Sequence, residues 1–599
     1  MKVTATLADP FTLLDPAFAQ RALAAILIVA LIAAALGWAI VLRDLPFFTH
    51  AVGAGAYPVL VLGVIAGISI AVSALVGALA FALFLGLAAG VGSARGAATS
   101  AGRRDAMVGL AVAAALAIGS VLAARAGGSD ARLAISPEAL LFGSLLTIDN
   151  STLLVVSCAA VVIGASAWLA GGRWLAGGFD PAVAGQLGSS RSDALLLGCV
   201  ALGAAATLPV TGSLLTGALL IVPAATARML TDRAKRLPLI VFGLAAFEGV
   251  LGLYLSLNFD LPTGASIAAV AGAGFFLTAG AASLARSRGP LRTAAGLALI
   301  SALMLGVAGC GSSSSGDTAV ANDKLAVVAT TPQIADIVRN VGGKSVDVTT
   351  LLPIGADPHD YEPKPRAVIA IAKSGVVFRS GGDIDAWLQP AVKAANTSSA
   401  PVDLSRSAVL LPAGKGNIFN AHWYLDPQNV ARAAQRVRDA LIKADPTARE
   451  TFRTNASAYL DEIDAANKKL VACASKIPAS DRNLMAGHND FAYLAEAFNL
   501  KIAAQIAQSG ESEPSASELQ DAVDAARSAN VRALVASKGE ATRLDQQVAD
   551  KLIVPLLQLY ADSLTTGDDG STLLGAIGFD VGSIAKAVTG GAVTCPSTD

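Results

Sequence analysis

Charge is scarce in this chain of 599 residues: 15% of its side chains are Asp, Glu, Lys or Arg, against about 25% in an ordinary soluble domain. With 54% hydrophobic residues and a mean hydropathy of +0.59, that scarcity excludes a wholly soluble protein, and part of the chain belongs in a membrane. The net charge of -1 excludes a chain built as a whole to neutralise nucleic acid. Histidine and cysteine are also few, four and five respectively, which excludes a histidine-rich metal store and a disulfide-dense scaffold. A single site using most of the histidines is left open. No G-x-x-x-x-G-K-[ST] phosphate loop occurs, because GGKS at 342–345 lacks the first glycine, so any ATP hydrolysis belongs to a separate chain. A nucleophile elbow and an H-E-x-x-H pair are absent too.

What is present divides into two halves. Up to about residue 290, roughly a tenth of the residues are charged, and apolar runs of about 18 to 24 follow one another, each long enough to cross a hydrocarbon core of about 30 Å. Nine spans are expected, near 20–42, 50–69, 70–92, 106–125, 151–170, 193–211, 213–230, 238–258 and 265–285, with the short run 139–148 a re-entrant candidate. Cytoplasmic loops hold the Lys/Arg excess, so the loops with Arg95, Arg103 and Arg104, with Arg173 and Arg191, with Arg228, Arg233, Lys235 and Arg236, and with Arg286, Arg288 and Arg292 are read as inside. Arg43 falls on the same side, and the N-terminus is then outside. The Gly, Ala and Ser content of the spans suits close helix packing in lipid.

Residues 286–322 carry basic residues, an apolar stretch, LMLGVAGC ending at Cys310, and a GSSSSGD tail. These are the parts of a secretory signal, and they resemble a bacterial lipoprotein signal with Cys310 as the lipidated residue. A tenth, uncleaved span is the alternative. Both place Cys310 and everything after it outside the cell.

From about residue 323 the pattern turns to soluble α/β. Short β-branched runs (LAVVAT, VDVTTLL, GVVFRS, VRALVAS) alternate with helical stretches, as in parallel-sheet units. Residues 445–477 read as one long helix, with Asp445 as its cap, Pro446 in its first turn, and Phe452, Tyr459, Ile463, Ala466, Leu470, Cys473 and Ile477 on one face. The simplest arrangement is two lobes joined by that helix.

Three of the four histidines lie in this half, His359 in LLPIGADPHDYEP, His422 in NAHWYLDP and His488 in AGHNDFAYLAEAFNL. They are too far apart for a local finger and meet only through the fold. Neutral imidazole is the usual zinc ligand, and three of them with one carboxylate would fill a tetrahedron. Chemistry alone leaves the carboxylate open among Asp562, Asp568, Asp569 and Glu511.

Residues 323–590 resemble the metal-binding receptors of bacterial ABC importers for zinc and manganese, through VVATTPQIADIVRNVGGKSVDVTTLLPIGADPHDYEP, NAHWYLDP, GHNDFAYLAEAFNL, EPSASEL and YADSL. The resemblance implies two α/β lobes joined by a long rigid helix and the ligand set His359, His422, His488 and Asp562, two from each lobe. Three nitrogens and one carboxylate favour Zn²⁺ as the transported ion, with Mn²⁺ or iron as the alternative. Residues 1 to about 285 resemble the permease family that partners such receptors, through VLRDLPFFTHAVGAGAYP, LLFGSLLTI, FDPAVAGQLG, LPVTGSLLTGALLIVPAATARML and EGVLGLYLSLNFDLPTGASI. That resemblance implies a permease homodimer in the bilayer and a separate cytoplasmic ABC ATPase. It makes the segment with Phe179, Asp180, Gly185 and Gly188 the candidate helix for ATPase coupling. Where the family has an aspartate and a histidine four residues on, this chain has His50 and Ala54, so His50 is the candidate pathway residue, with Glu248 and Asp149 further candidates. Cys473 and Cys595 are the cysteines of the exported half beyond Cys310, and a disulfide between them is expected.

The expected architecture is therefore multi-domain. An all-α polytopic membrane domain spans 1–285, a signal or anchor segment with linker spans 286–322, and a two-lobed α/β receptor spans 323–599. The expected function is a metal importer subunit with permease and receptor in one chain, not an enzyme. A membrane-tethered zinc hydrolase and a metal-dependent adhesin are the alternatives.

Overall fold

The computed structural model describes residues 16–68, 70–88, 101–127, 145–179, 189–287, 324–359, 361–397, 400–412, 419–507, 516–539 and 541–596. Cys310, Asp180, Gly185, Gly188 and Glu511 lie outside the described residues, and Phe179 closes a helix at their edge.

The apolar runs fold as helices α1 (Ala17–Leu42), α2 (Pro46–Gly55), α3 (Tyr57–Ile65), α4 (Ile70–Ala88), α5 (Ala101–Gly127), α6 (Asn150–Phe179), α7 (Ser189–Leu230), α8 (Leu237–Phe259) and α9 (Thr263–Ser287). Six helical stretches among the described residues are long and apolar enough to cross a membrane. The second expected span is broken between α2 and α3, since Pro58 has no N–H to give and its ring crowds the carbonyl four residues earlier. The expected spans 193–211 and 213–230 are the two limbs of α7. Gly212, at φ 69° and ψ 169°, interrupts α7. Thr207 Oγ1 lies 3.4 Å from Thr216 Oγ1, whereas positions nine apart in a straight helix are separated by about 13 Å along its axis. The chain therefore folds back at Gly212, a backbone conformation that suits glycine. Of the expected re-entrant run, only a 3₁₀ turn at Leu145–Thr147 is described. Small residues let the helices close up: a Cβ added at Gly37 would stand 2.7 Å from the Leu220 carbonyl oxygen. Large apolar side chains such as Trp168 (85% exposed) and Leu87 (79% exposed) face outward from the bundle, as lipid-facing residues do.

The second half holds two four-stranded parallel sheets. The first, in order β2-β1-β3-β4, is formed by β1 (Leu325–Ala329), β2 (Val346–Thr350), β3 (Val376–Arg379) and β4 (Val402–Asp403). The second, in order β6-β5-β7-β8, is formed by β5 (Asn483–Ala486), β6 (Lys501–Gln505), β7 (Leu534–Ser537) and β8 (Leu556–Leu559). Between them run α13 (Pro427–Ala444) and the long helix α14 (Arg449–Ala474). In chain order, α10 (Pro332–Gly342), α11 (Pro365–Lys373) and α12 (Leu388–Ala395) precede α13. The helices α15 (Ala492–Ala497), α16 (Ala516–Ser528), α17 (Arg543–Leu552) and α18 (Leu573–Val588) follow α14.

The long helix is shorter than the expected 445–477. Asp445 caps a 3₁₀ turn at Pro446–Ala448 by accepting from the Thr447 N–H at 3.0 Å, and Ile477 falls beyond the last helical residue. Its expected buried face is intact: Phe452, Tyr459, Ile463, Ala466 and Leu470 enter one apolar cluster with residues of both lobes, Ile334 and Leu574 among them. Cys473 on α14 is bonded to Cys595 with the Cα atoms 5.5 Å apart, tying the tail after α18 back to the inter-lobe helix. The bond closes a loop of 122 residues; in the chain-entropy account that is worth about 5 kcal/mol. Cys158 and Cys199 are free.

The first lobe rests on one end of the helical bundle. Leu388, Ala391 and Ala394 of α12 join the apolar cluster of Phe18, Ala22, Leu145 and Leu146. Arg21 Nη2 donates to the Ala394 carbonyl at 2.8 Å, Lys393 Nζ meets Asp149 Oδ2 at 2.7 Å, and the Arg366 N–H donates to Asp260 Oδ1 at 3.1 Å. Arg43, paired with Asp193 at 2.7 Å, marks the opposite end of α1. The α/β half thus sits on the bundle end away from Arg43, Arg191 and Arg228. Asp149, a pathway candidate from sequence, instead caps α6 through the Thr152 N–H and binds the receptor. His50 lies in the first turns of α2, half-buried, at the Arg43 end. Glu248 is buried at the middle of α8.

Lys393→Glu should speed deuterium exchange in α12 by a factor of about three to ten, the effect of roughly 1 kcal/mol for a partly exposed pair. Adding Asp149→Lys should restore protection. Peptide mapping without reductant should recover Cys473 joined to Cys595 while Cys158 and Cys199 are alkylated after denaturation.

Candidate metal centre

Parallel sheets gather functional loops at the carboxyl ends of their strands. His359 follows β2, His488 follows β5, Ser537 ends β7 and Asp562 follows β8. His422 arrives from the connection between β4 and α13.

Each side chain is held by local structure. The His359 N–H donates to Asp357 Oδ1 at 2.8 Å, and the Pro358 carbonyl accepts from Trp387 Nε1 at 2.9 Å, fixing the 353–359 loop. Gly355, at φ +79°, turns that loop so that its N–H reaches Ser563 Oγ of the other lobe at 2.6 Å. His422 stands before a 3₁₀ turn whose Trp423, Tyr424 and Leu425 are fully buried. Its N–H donates to Asn420 Oδ1 at 2.9 Å, and its Nδ1 lies 3.0 Å from the same oxygen. That contact holds Nδ1 against an oxygen and leaves Nε2 facing the cleft, as in a metal-binding imidazole whose other nitrogen is hydrogen-bonded. Asn420 also reaches across the lobes, its Nδ2 donating to the Asn489 carbonyl and its own carbonyl accepting from Tyr493 Oη at 2.9 Å.

The four side chains implied by resemblance converge. His422 Nε2 lies 2.9 Å from Asp562 Oδ1, and His488 Nε2 lies 3.9 Å from Asp562 Oδ2. The His359 and His488 ring centres are 5.9 and 6.1 Å from that of His422. The donor atoms of His359, His422 and Asp562 all lie within 4.8 Å of one another. Two donors about 2.1 Å from one zinc ion stand at most about 4.2 Å apart, so the cluster reaches one ion with small adjustments. His359 and His422 come from the first lobe, His488 and Asp562 from the second. Asp568, by contrast, caps the 3₁₀ turn Asp569–Ser571 and accepts from Tyr560 Oη at 3.2 Å.

The electrostatics suit a cation. Burial, with the charge of His422 second, pushes the His488 imidazole down to about 4, so it is a neutral donor at physiological pH. Asp562 is buried, which opposes its ionisation, but the charge and hydrogen bond of His422, with His359 and His488, hold it well below the usual carboxylate range. Two participants were missed in the sequence. Ser537 Oγ donates to Asp562 Oδ2 at 2.8 Å, and Asp490, wholly buried, has Oδ2 at 3.6 Å from His488 Nε2. The acid two residues after His488 was the available signal for the second.

Two family matches cover most of the chain. Residues 15–282 match the ABC 3 transport family, and residues 327–587 match the family described as zinc-uptake complex component A, periplasmic. The manganese-binding lipoprotein MntA of Halalkalibacterium halodurans is 30% identical over 201 residues, covering 33% of this chain and 66% of the relative. The metal ABC transporter substrate-binding lipoprotein ScbA of Streptococcus cristatus is 26% identical over 305 residues, covering 49% and 98%. Among solved structures, the Mn-bound periplasmic metal binding protein from candidatus liberibacter asiaticus is similar at TM-score 0.41 and 21% identity, over 44% of this chain and all of the other. The periplasmic zinc binding protein TroA from Treponema pallidum is similar at TM-score 0.41 and 21% identity, over 44% and 99%.

Alanine at His359, His422, His488 or Asp562 should each weaken zinc binding by about tenfold or more, measured by chelator competition, while Asp568→Ala leaves it unchanged. In EDTA, the receptor should lose thermal stability as pH falls from 6.5 to about 4. In that window the unfolded chain takes up a proton at residue 488 that the folded chain refuses. His488→Gln should flatten that slope.

Proposed function

We infer that this chain, which belongs to the ABC 3 transport family through residues 15–282 and to the zinc-uptake component A family through residues 327–587, captures Zn²⁺ outside the cell and passes it to its own permease. The observation that carries the reading is that His359, His422 and His488, drawn from two lobes, gather around Asp562 in the cleft. Three imidazole nitrogens and a carboxylate form a donor set suited to zinc. Manganese is the second reading, favoured by the manganese-binding description of a relative.

The ion enters as cargo. Asp562 and His422 face one another between the lobes, and a cation held by both bridges the two lobes. Release is directed at the bundle end that carries Arg21, Asp149 and Asp260, which the placement of arginines makes the outer end. Two such chains form the permease dimer, and a separate cytoplasmic ATPase supplies the work, touching the permease through the segment containing Phe179, Asp180, Gly185 and Gly188. A linker such as GSSSSGDTAVAND after Cys310 keeps the receptor at a local concentration of about millimolar. Lipidation at Cys310 would hold a cleaved receptor at the same surface.

Expressed with its ATPase in cells deficient in zinc uptake, the intact chain should restore accumulation at low external zinc, and His422→Ala should reduce it by about tenfold or more. Undiminished uptake after removal of residues 324–599 would overturn the reading. On membranes, the receptor region should run near 60 kDa if the chain stays whole and at roughly half that mass if it is cut before Cys310.

A further inference from the structure

Asp490 stands apart from the four ligands discussed above. It lies on the loop between β5 and α15, two residues after His488, and its side chain is withdrawn from water completely. A carboxylate that is fully buried needs compensation. Asp490 faces the metal cleft. Its Oδ2 lies 3.6 Å from His488 Nε2 and accepts from Ser537 Oγ at 3.1 Å.

The Ser537 hydroxyl has a single proton, and it also lies 2.8 Å from Asp562 Oδ2. One donor therefore serves two carboxylates in turn and holds both toward the same point. The donor atoms of His488, Asp490 and Asp562 all lie within 4.8 Å of one another, and this second group shares Asp562 with the group that contains His359 and His422. The two groups therefore describe one cleft with three imidazoles and two carboxylates.

We propose that Asp490 is a fifth ligand of the captured cation, and that it adapts this receptor to Mn²⁺ as well as Zn²⁺. Two carboxylates balance the charge of a divalent ion in a cleft screened from water, where a single carboxylate leaves one positive charge uncompensated. A fifth donor exceeds the tetrahedron that zinc prefers in closed sites, and an added carboxylate oxygen raises the share of hard donors, the change that favours manganese over softer ions. The inference rests on the metal-receptor reading above.

The test uses the full-length chain in detergent, stripped of metal and then titrated with Mn²⁺, Zn²⁺ or Co²⁺ alone. The parent chain should give the weak visible absorption of five- or six-coordinate cobalt, and Asp490→Asn should shift it to the intense band of a tetrahedral site. In the same variant, Mn²⁺ affinity should fall by about tenfold or more while Zn²⁺ affinity changes by less than about threefold. Asp490→Glu keeps the carboxylate and should retain most of the Mn²⁺ affinity. A tetrahedral cobalt spectrum in the parent chain, or an equal loss of both metals in the Asn and Glu variants, would make Asp490 a structural acid and overturn the proposal. A parent chain that binds none of the three ions would instead overturn the receptor reading.

Discussion

The contact between Asp562 and His422, 2.9 Å across the cleft and buried on both sides, is the constraint on which the receptor depends. A carboxylate 2% exposed is tolerated only where its charge is matched, and here the matching groups come from the other lobe and from neighbouring imidazoles. That requirement explains much of the surrounding structure. Asn420 orients the His422 ring, Trp423 and Tyr424 anchor the segment behind it, and Ser537 supplies a proton to Asp562. Gln333 Nε2 of the first lobe donates to the Ala561 carbonyl at 2.8 Å, so the backbone beside the carboxylate is also held across the cleft. The rigid helix α14 and the Cys473–Cys595 bond set the distance at which the lobes can meet. The site is thus a joint between the two lobes, with donors supplied by each.

In the first half the governing constraint is the lack of water. Backbone groups are satisfied within helices, and breaks occur where sequence forces them, at Pro58 and Gly212, with Thr207, Thr211 and Thr216 hydroxyls meeting at the second. The two halves meet through a small set of polar contacts around an apolar centre. Arg21, Lys393 and Arg366 each reach the other half, at the bundle end opposite Arg43. The end of the bundle on which the α/β half rests is the one away from Arg43 and Asp193.

How much of this was legible in the sequence depended on whether the signal was local. Long apolar runs needed no partner to be recognised, so most of the helices agree with expectation to within a few residues, including the two limbs of α7, while α6 runs nine residues past its expected end and the second span is broken at Pro58. Strands β1, β2, β3 and β7 were also legible, being rich in Val, Leu and Thr. Strands β4, β5 and β6 were not, because a two-residue VD, an NLMA and a KIAAQ carry too few β-branched residues to stand out from helix or loop. Each is a strand because a neighbour supplies its hydrogen bonds, β5 lying between β6 and β7. Asp149 shows the same limit from the other side. A lone acid at the edge of an apolar run suggests an ion path, yet its position beside Lys393 follows from a residue 244 positions away.

By itself, the sequence determined the division into an apolar half and an α/β half and the three histidines available to a metal, because hydropathy and residue chemistry are properties of short segments. The choice of Asp562 over Asp568 needed resemblance, since the two acids are chemically alike and only six residues apart. Tertiary structure alone decided that Asp562 is buried against His422 while Asp568 caps an exposed turn, that Asp490 and Ser537 belong to the same cleft, and that the α/β half rests on the bundle end away from Arg43. These are relations between side chains distant in sequence, settled by which strand ends the two parallel sheets bring face to face.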